Sequence, residues 1–169
     1  MSCGTDDTTL ASASIGIPRR QAFDAAAFER AVADLLAACG IAPDQKHMRG
    51  IAVHGVCPHH LVPFRGVAHV AYLPGGRLHG FGRIARMVDA IGHRFTYQEW
   101  MTRDIAEALV RHGRAAGAAC VIEAEQLCLL LGEDRRGDER VVTQAFAGAF
   151  AQSDGLRSEF LRAISGKLP

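Results

Sequence analysis

Apolar residues recur along the chain in two rhythms, and the switches between them divide it into elements. From Asp24, the positions Phe28, Ala31, Val32, Leu35, Leu36 and Cys39 fall three and four apart. That spacing predicts an amphipathic helix with Asp24 as N-cap and Gly40 as stop. A polar link through Pro43 leads to residues 51–56. Residues 64–73 then partly alternate, with Val67, His69, Ala71 and Leu73 on one face, up to the turn Pro74-Gly75-Gly76. Both segments predict strands. Helical spacing returns at Ile84, Met87, Val88 and Ile91, and again at Met101, Ile105, Ala108, Leu109 and His112, ending near residues 113–117. Residues 118–131 form a long apolar and β-branched run, the charged segment 132–139 reads as a turn, and 140–150 resumes as a strand. Leu156, Phe160, Leu161 and Ile164, behind the candidate cap Ser153, predict a short closing helix.

Helix, strand pair, helix pair, strand pair, helix is the order of an antiparallel α+β domain. A four-stranded sheet of this kind has open edges, which favour assembly of several copies into a closed ring. With 169 residues there is room for one domain, expected over 21–169. Residues 1–20, rich in Ser, Thr, Gly and Ala without a period, are expected to form a flexible arm. Hydrophobic residues at 49% and charged residues at 22% exclude a disordered or fibrous chain. A net charge of +1 provides no general basic field for nucleic acid or an anionic membrane, so any anion site must be local. Apolar stretches stop well short of the ~20 residues of a membrane span, and the polar start lacks the regions of a signal peptide, so a cytoplasmic location is expected.

Five cysteines, an odd number in a chain of this size, suit thiols or metal ligands better than a disulfide framework, and eight histidines strengthen the search for a metal site. The densest cluster is Cys57-Pro58-His59-His60. Cys57 and His60 have a spacing that can place a thiolate and an imidazole on one Zn²⁺, but a catalytic zinc needs a third ligand. Cys128, expected in the first strand of the later hairpin, completes a Cys₂His set with one open position for water, leaving His59 to move protons. Against this stand a turn with chance clustering at 57–60 and a small buried core residue at 128. Cys3, Cys39 and Cys120 belong to the arm or the core. Thr96-Tyr97-Gln98-Glu99 has the form of a capping box, yet Gln98 and Glu99 also offer an amide and a carboxylate suited to the donor edge of a guanine-like base. Arg83 and Arg86, near the start of the second helix, suit either an anion site or a solvated face.

In serial order, residues 57–64 (CPHHLVPF), 66–74 (GVAHVAYLP), 83–89 (RIARMVD), 98–99 (QE), 102–106 (TRDIA) and 122–128 (IEAEQLC) resemble GTP cyclohydrolase I. The resemblance runs in register over about residues 49–164. It implies the tunnelling (T-) fold: an antiparallel sheet with helices on one face, closed between subunits into a β-barrel toroid, commonly a decamer, with active sites between subunits. It also implies zinc held at Cys57, His60 and Cys128, and water attacking C8 of guanine with release of formate. In the same correspondence His59 matches a proton donor, Gln98 and Glu99 match the pair that holds the pyrimidine side of the base, and Arg83 and Arg86 fall to the phosphates.

The chain departs from the family pattern in one direction. Gln126 stands where the family has a histidine, so of the two proton-transfer positions, His59 and Gln126, only the first titrates. Leu131 or Gly132 stands where the family has an arginine, and Gly82-Arg83 replaces a Ser-Lys pair. The segment between the first helix and Arg49 is shortened and lacks the family's Thr-Pro-x-Arg-Val-Ala stretch. A triphosphate carries about four negative charges and needs several charge-assisted partners, for which Arg83, Arg86 and Arg65 remain. The expectation is a zinc-dependent hydrolase of a guanine-type purine or pterin precursor bearing fewer phosphates than GTP, or none. The alternatives are an authentic GTP cyclohydrolase I converting GTP to 7,8-dihydroneopterin triphosphate, and a non-catalytic zinc-containing T-fold binding protein.

Overall fold

The structure is a computed structural model that describes residues 24, 27, 28, 31, 35, 45–76, 78–132 and 139–166. The arm expected at 1–20, most of the first expected helix, Cys3 and Cys39 lie outside the described residues. Within that helix Ala27, Phe28, Ala31 and Leu35 are helical, and the Asp24 carboxylate accepts the Ala27 N–H at 2.9 Å, the N-cap geometry expected of it.

Four antiparallel strands follow one another in space as in sequence: β1 (Lys46–Val56), β2 (Pro63–Leu73), β3 (Gly117–Gln126) and β4 (Val141–Gly148). Between β2 and β3 the chain makes α1 (Phe81–Gly92) and α2 (Gln98–Arg111). After β3 comes a single turn, α3 (Leu127–Leu130), and after β4 come α4 (Ala149–Gln152) and α5 (Asp154–Ser165). The α+β antiparallel architecture is the one expected from the sequence. β1 begins earlier than the pattern suggests, because Lys46, His47 and Met48 pair with Tyr72, Ala71 and Val70 of β2 ahead of a register shift before Ile51. The expected strand 118–131 ends at Gln126, and the expected strand 140–150 ends at Gly148. There φ is +57°, and a Cβ would lie 2.5 Å from the Ala116 carbonyl, so only glycine turns the chain into α4.

The main core lies between one sheet face and the helix pair. Phe64, Ala68, Val70 and Tyr72 of β2 and Ala118, Cys120, Ile122 and Ala124 of β3 meet Ile84 and Val88 of α1 and Met101, Ile105 and Leu109 of α2. The α2 residues recur every four positions, the stripe that a helix buries, and each contributes about 1.5–3 kcal/mol. Burial pushes the Cys120 thiol up out of the range where thiolate forms, which fits its expected core role.

Helices lie on this face as expected, and α5 adds a second layer across the other. Its Phe160 packs with Phe150 on Ala71, Ala119 and Val121, the Ser153 hydroxyl caps it by accepting the Leu156 N–H, and Arg49 Nη1 donates to the Gly166 carbonyl at 2.9 Å. Among the described residues no helix is long and apolar enough to cross a membrane.

Beneath α5, His47 Nε2 and His69 Nδ1 are buried without a hydrogen-bond partner among the described residues. Burial holds both imidazoles below the ordinary histidine value. Arg49 adds to the effect at His69 while Glu123 opposes it, and Glu159 opposes it at His47. The unfolded chain therefore takes up these protons more readily than the folded one. Stability from this layer is complete above about pH 6.5 and declines as pH falls through the lower folded-state values. Thermal melts between pH 7.5 and 5 are expected to show a falling Tm whose slope is reduced in His47→Gln; equal slopes for the two proteins would overturn this account.

Candidate functional site

The site begins where β1 runs out. Cys57 N–H donates to the Val62 carbonyl at 3.0 Å and Leu61 N–H to the Cys57 carbonyl at 2.9 Å, closing residues 57–62 into a tight loop. The closure forces Leu61 to φ +54°, a left-handed conformation rare for a non-glycine residue. The loop brings Cys57 Sγ to 3.9 Å from His60 Nδ1. His59 projects beside them, 5.3 Å from the His60 ring and meeting Tyr97 edge-on at 5.8 Å between centroids.

The start of α2 is fastened to the same strand end. Thr96 N–H donates to the Val56 carbonyl at 3.1 Å, and Val56 forms a parallel bridge with Phe95. From the opposite side come β2 with Phe64 and the β3–α3 junction with Gln126 and Cys128. Gly55 makes room here, because a Cβ would collide with the Phe64 ring at 2.4 Å. The result is a cleft of about 180 Å³ onto which Cys57, His59, His60, Gln98, Glu99, Gln126 and Cys128 all open. Phe64, Thr96, Tyr97, Leu129 and Val141 also line it; the sequence offered Thr96 and Tyr97 only as part of a capping box and gave the other three no role at the site.

Gln98 is almost fully buried, at 2% exposure, and its side chain is saturated. Nε2 donates to the Val141 carbonyl at 2.8 Å, the Ile122 carbonyl at 3.1 Å and Thr143 Oγ1 at 3.2 Å, two hydrogens shared among three acceptors. Oε1 accepts the Gln126 amide at 2.5 Å. Thr102 Oγ1 donates to the Gln98 backbone carbonyl at 2.7 Å, so the 2.6 Å contact between Thr102 and Thr143 is donated by Thr143. The Gln98 amide expected to face a base is thus engaged by the sheet.

Glu99 is exposed at the cleft without a partner among the described residues. The alternative capping box does not form. Tyr97 is the N-cap residue, no side chain caps α2, and Thr96 Oγ1 instead donates to the Tyr97 carbonyl.

Cys128 stands on α3 and not in a strand as expected. The β3–β4 ladder stops at Ala124 opposite Val141, and the apolar run beyond it is one that periodicity cannot assign between strand and helix. Zinc binds thiolate at about 2.3 Å and imidazole at about 2.0–2.1 Å. The 3.9 Å between Cys57 Sγ and His60 Nδ1 is therefore within reach of a single ion. Cys128 lines the same cleft, and the donor set is one that zinc accepts. Among the described residues no three such side chains already converge on one point. Arg83 and Arg86 are exposed on the first turns of α1 and do not line the cleft, and Arg65 is paired with Glu125 at 3.0 Å.

A family model described as GTP cyclohydrolase I matches residues 43–165. GTP cyclohydrolase 1 of Chromobacterium violaceum is 55% identical over 201 positions, covering 95% of this chain and 98% of that protein. GTP cyclohydrolase 1 of Ralstonia nicotianae is 55% identical over 202 positions, covering 95% and 97%. A GTP cyclohydrolase 1 of Pseudomonas aeruginosa is 42% identical over 117 residues, 69% of this chain and 63% of that protein. Among solved structures, an archaeosine synthase QueF-Like in the apo form superimposes with a TM-score of 0.51 at 16% identity, over 64% of this chain and 97% of that one. This neighbour shows the fold to be the T-fold. The Chromobacterium alignment spans 201 positions against 169 residues here, leaving at least 32 without a counterpart. The Pseudomonas match of 117 residues fills 69% of the chain without a gap.

Two substitutions separate support from chemistry. Gln98→Ala strands several buried groups, each worth roughly 1–3 kcal/mol, and is expected to destabilise the fold markedly in urea melts. Glu99→Ala is expected to leave stability unchanged in the same assay, whereas loss of a functioning cap would cost about 1 kcal/mol.

Proposed function

The chain belongs to the GTP cyclohydrolase I family, and on that footing we propose that it converts GTP to 7,8-dihydroneopterin triphosphate and formate. The observation that carries this reading is a single cleft onto which two thiols, two imidazoles and an unengaged carboxylate open from three separate stretches of sequence. Two relatives 55% identical over nearly their whole length, both named GTP cyclohydrolase 1, support it.

Cys57, His60 and Cys128 would hold zinc. Bound there, the ion supplies Lewis acidity and a water acidified toward neutrality. The Glu99 carboxylate accepts from the N1–H and 2-amino donors of guanine, which turns C8 toward the Cys57–His60 loop. His59, kept upright by the edge of Tyr97, moves protons to and from the opening imidazole ring. A first water adds at C8 and the C8–N9 bond breaks, leaving a formamide on N7; a second water cleaves the C8–N7 bond to release formate, and the freed amine condenses with the rearranged ribose, losing one water, to close the dihydropterin ring. Gln126 titrates nowhere near neutrality and serves through its bond to Gln98. Among the described residues the outer edges of β1 and β4 pair with no further strand, which supports a homo-oligomer that joins sheets edge to edge. The reading needs no nucleic acid or membrane partner.

A second reading, a guanine-type substrate with fewer phosphates, is favoured by one observation. The residues left for a triphosphate lie outside the cleft, Arg83 and Arg86 on α1 and Arg65 bound to Glu125. Incubation of zinc-loaded protein with GTP, GMP, guanosine and guanine, followed through purine absorbance and formate, decides between them. Turnover of GTP with formate release is expected; turnover confined to the other three would establish the second reading, and inertness toward all four would leave a binding protein. Cys128→Ala is expected to lose zinc by elemental analysis while its far-ultraviolet circular dichroism is retained.

A further inference from the structure

Next to each cleft residue of the three strand ends stands a charged neighbour on the opposite sheet face. Phe64, Gln126 and Val141 open onto the cleft, and beside them in sequence are Arg65, Glu125 and Arg140. These three form one ion-pair cluster. Arg65 Nε meets Glu125 Oε2 at 3.0 Å and Arg140 Nη1 meets Glu125 Oε1 at 2.5 Å, so each carboxylate oxygen has its own guanidinium.

Its place in the ladder gives the cluster its meaning. Arg65 and Glu125 are register partners between β2 and β3, and pairing on that side continues through Phe64 and Gln126. On the other side the β3–β4 ladder ends at Ala124 and Val141. The last two residues of β3 therefore enter α3 with backbone pairing on one side only. The contact from Glu125 to Arg140 restores a link on the unpaired side at the point where the chain turns toward Cys128.

We propose that Glu125 is a positioning residue which, by bridging Arg65 and Arg140, fixes the β3–α3 junction and so sets where Gln126 and Cys128 stand in the cleft. The role in catalysis rests on the zinc-dependent reading above; the clamp itself is a statement about α3. The pairs are exposed, with Arg65 82% and Arg140 47% accessible, so they contribute little to global stability and act locally.

The test uses the full chain as parent, Glu125→Ala, Arg140→Ala and Arg140→Lys. Hydrogen exchange of the metal-free proteins is read over residues 127–131, and Co²⁺ is titrated through its thiolate charge-transfer absorption. In both alanine variants, exchange at 127–131 is expected to rise about threefold or more while the β2–β3 core is unchanged. The Co²⁺ Kd is expected to rise roughly two- to tenfold. Arg140→Lys is expected to restore much of both, and 0.5 M KCl to move the parent toward the variants. Unchanged exchange at 127–131, or a rise spread evenly over the whole sheet, would overturn the proposal. If the parent binds no Co²⁺ yet exchange rises only at 127–131, the clamp stands and the metal reading falls.

Discussion

A buried carboxamide must find partners for every hydrogen and lone pair, and the architecture around the cleft turns on how Gln98 does so. Its amide binds carbonyls from β3 and β4, its oxygen takes the Gln126 amide, and its backbone carbonyl is held by Thr102. Those bonds fix the first turn of α2 against two strand ends. Since Glu99 is the next residue, its carboxylate is aimed by the same constraint. Support and contact are thus divided between adjacent positions, one sealed inside the fold and the other open to solvent.

The division explains what the chain revealed in advance. Strongly periodic elements were legible: the α1 and α2 stripes, the β2 alternation and the Ser153 and Asp24 caps all rest on local chemistry. The Cys57–His60 loop was legible because ligating residue types cluster there. Less visible were features that depend on partners distant in sequence. Nothing local distinguishes residues 127–130 from a continued strand; the turn exists because β4 has stopped pairing at Ala124. The capping-box pattern at 96–99 was misleading for a related reason, since Thr96 is committed through its N–H to Val56 and its hydroxyl to Tyr97. Thr143 left no sequence signal, and Thr102 stood only within a matching stretch, because the role of each lies in its contact with Gln98.

The comparisons also sharpen the question of substrate. High identity to proteins named GTP cyclohydrolase 1 coexists with at least 32 alignment positions that have no counterpart in this chain. The Pseudomonas aeruginosa protein matches a shorter stretch, 117 residues at 42% identity. The cleft residues are present in this chain, whereas Arg83, Arg86 and Arg65 stand outside the cleft.

The contact between Gln126 and Gln98 has a consequence for how this position can drift. A histidine and a glutamine at this position would differ in titration but share an N–H able to reach the same oxygen. A substitution that kept a proton carrier but lost that donor would strand Gln98, while one that kept the donor alone leaves the frame whole. What position 126 owes its neighbour is therefore a donor, and a side chain without one leaves the Gln98 oxygen bare.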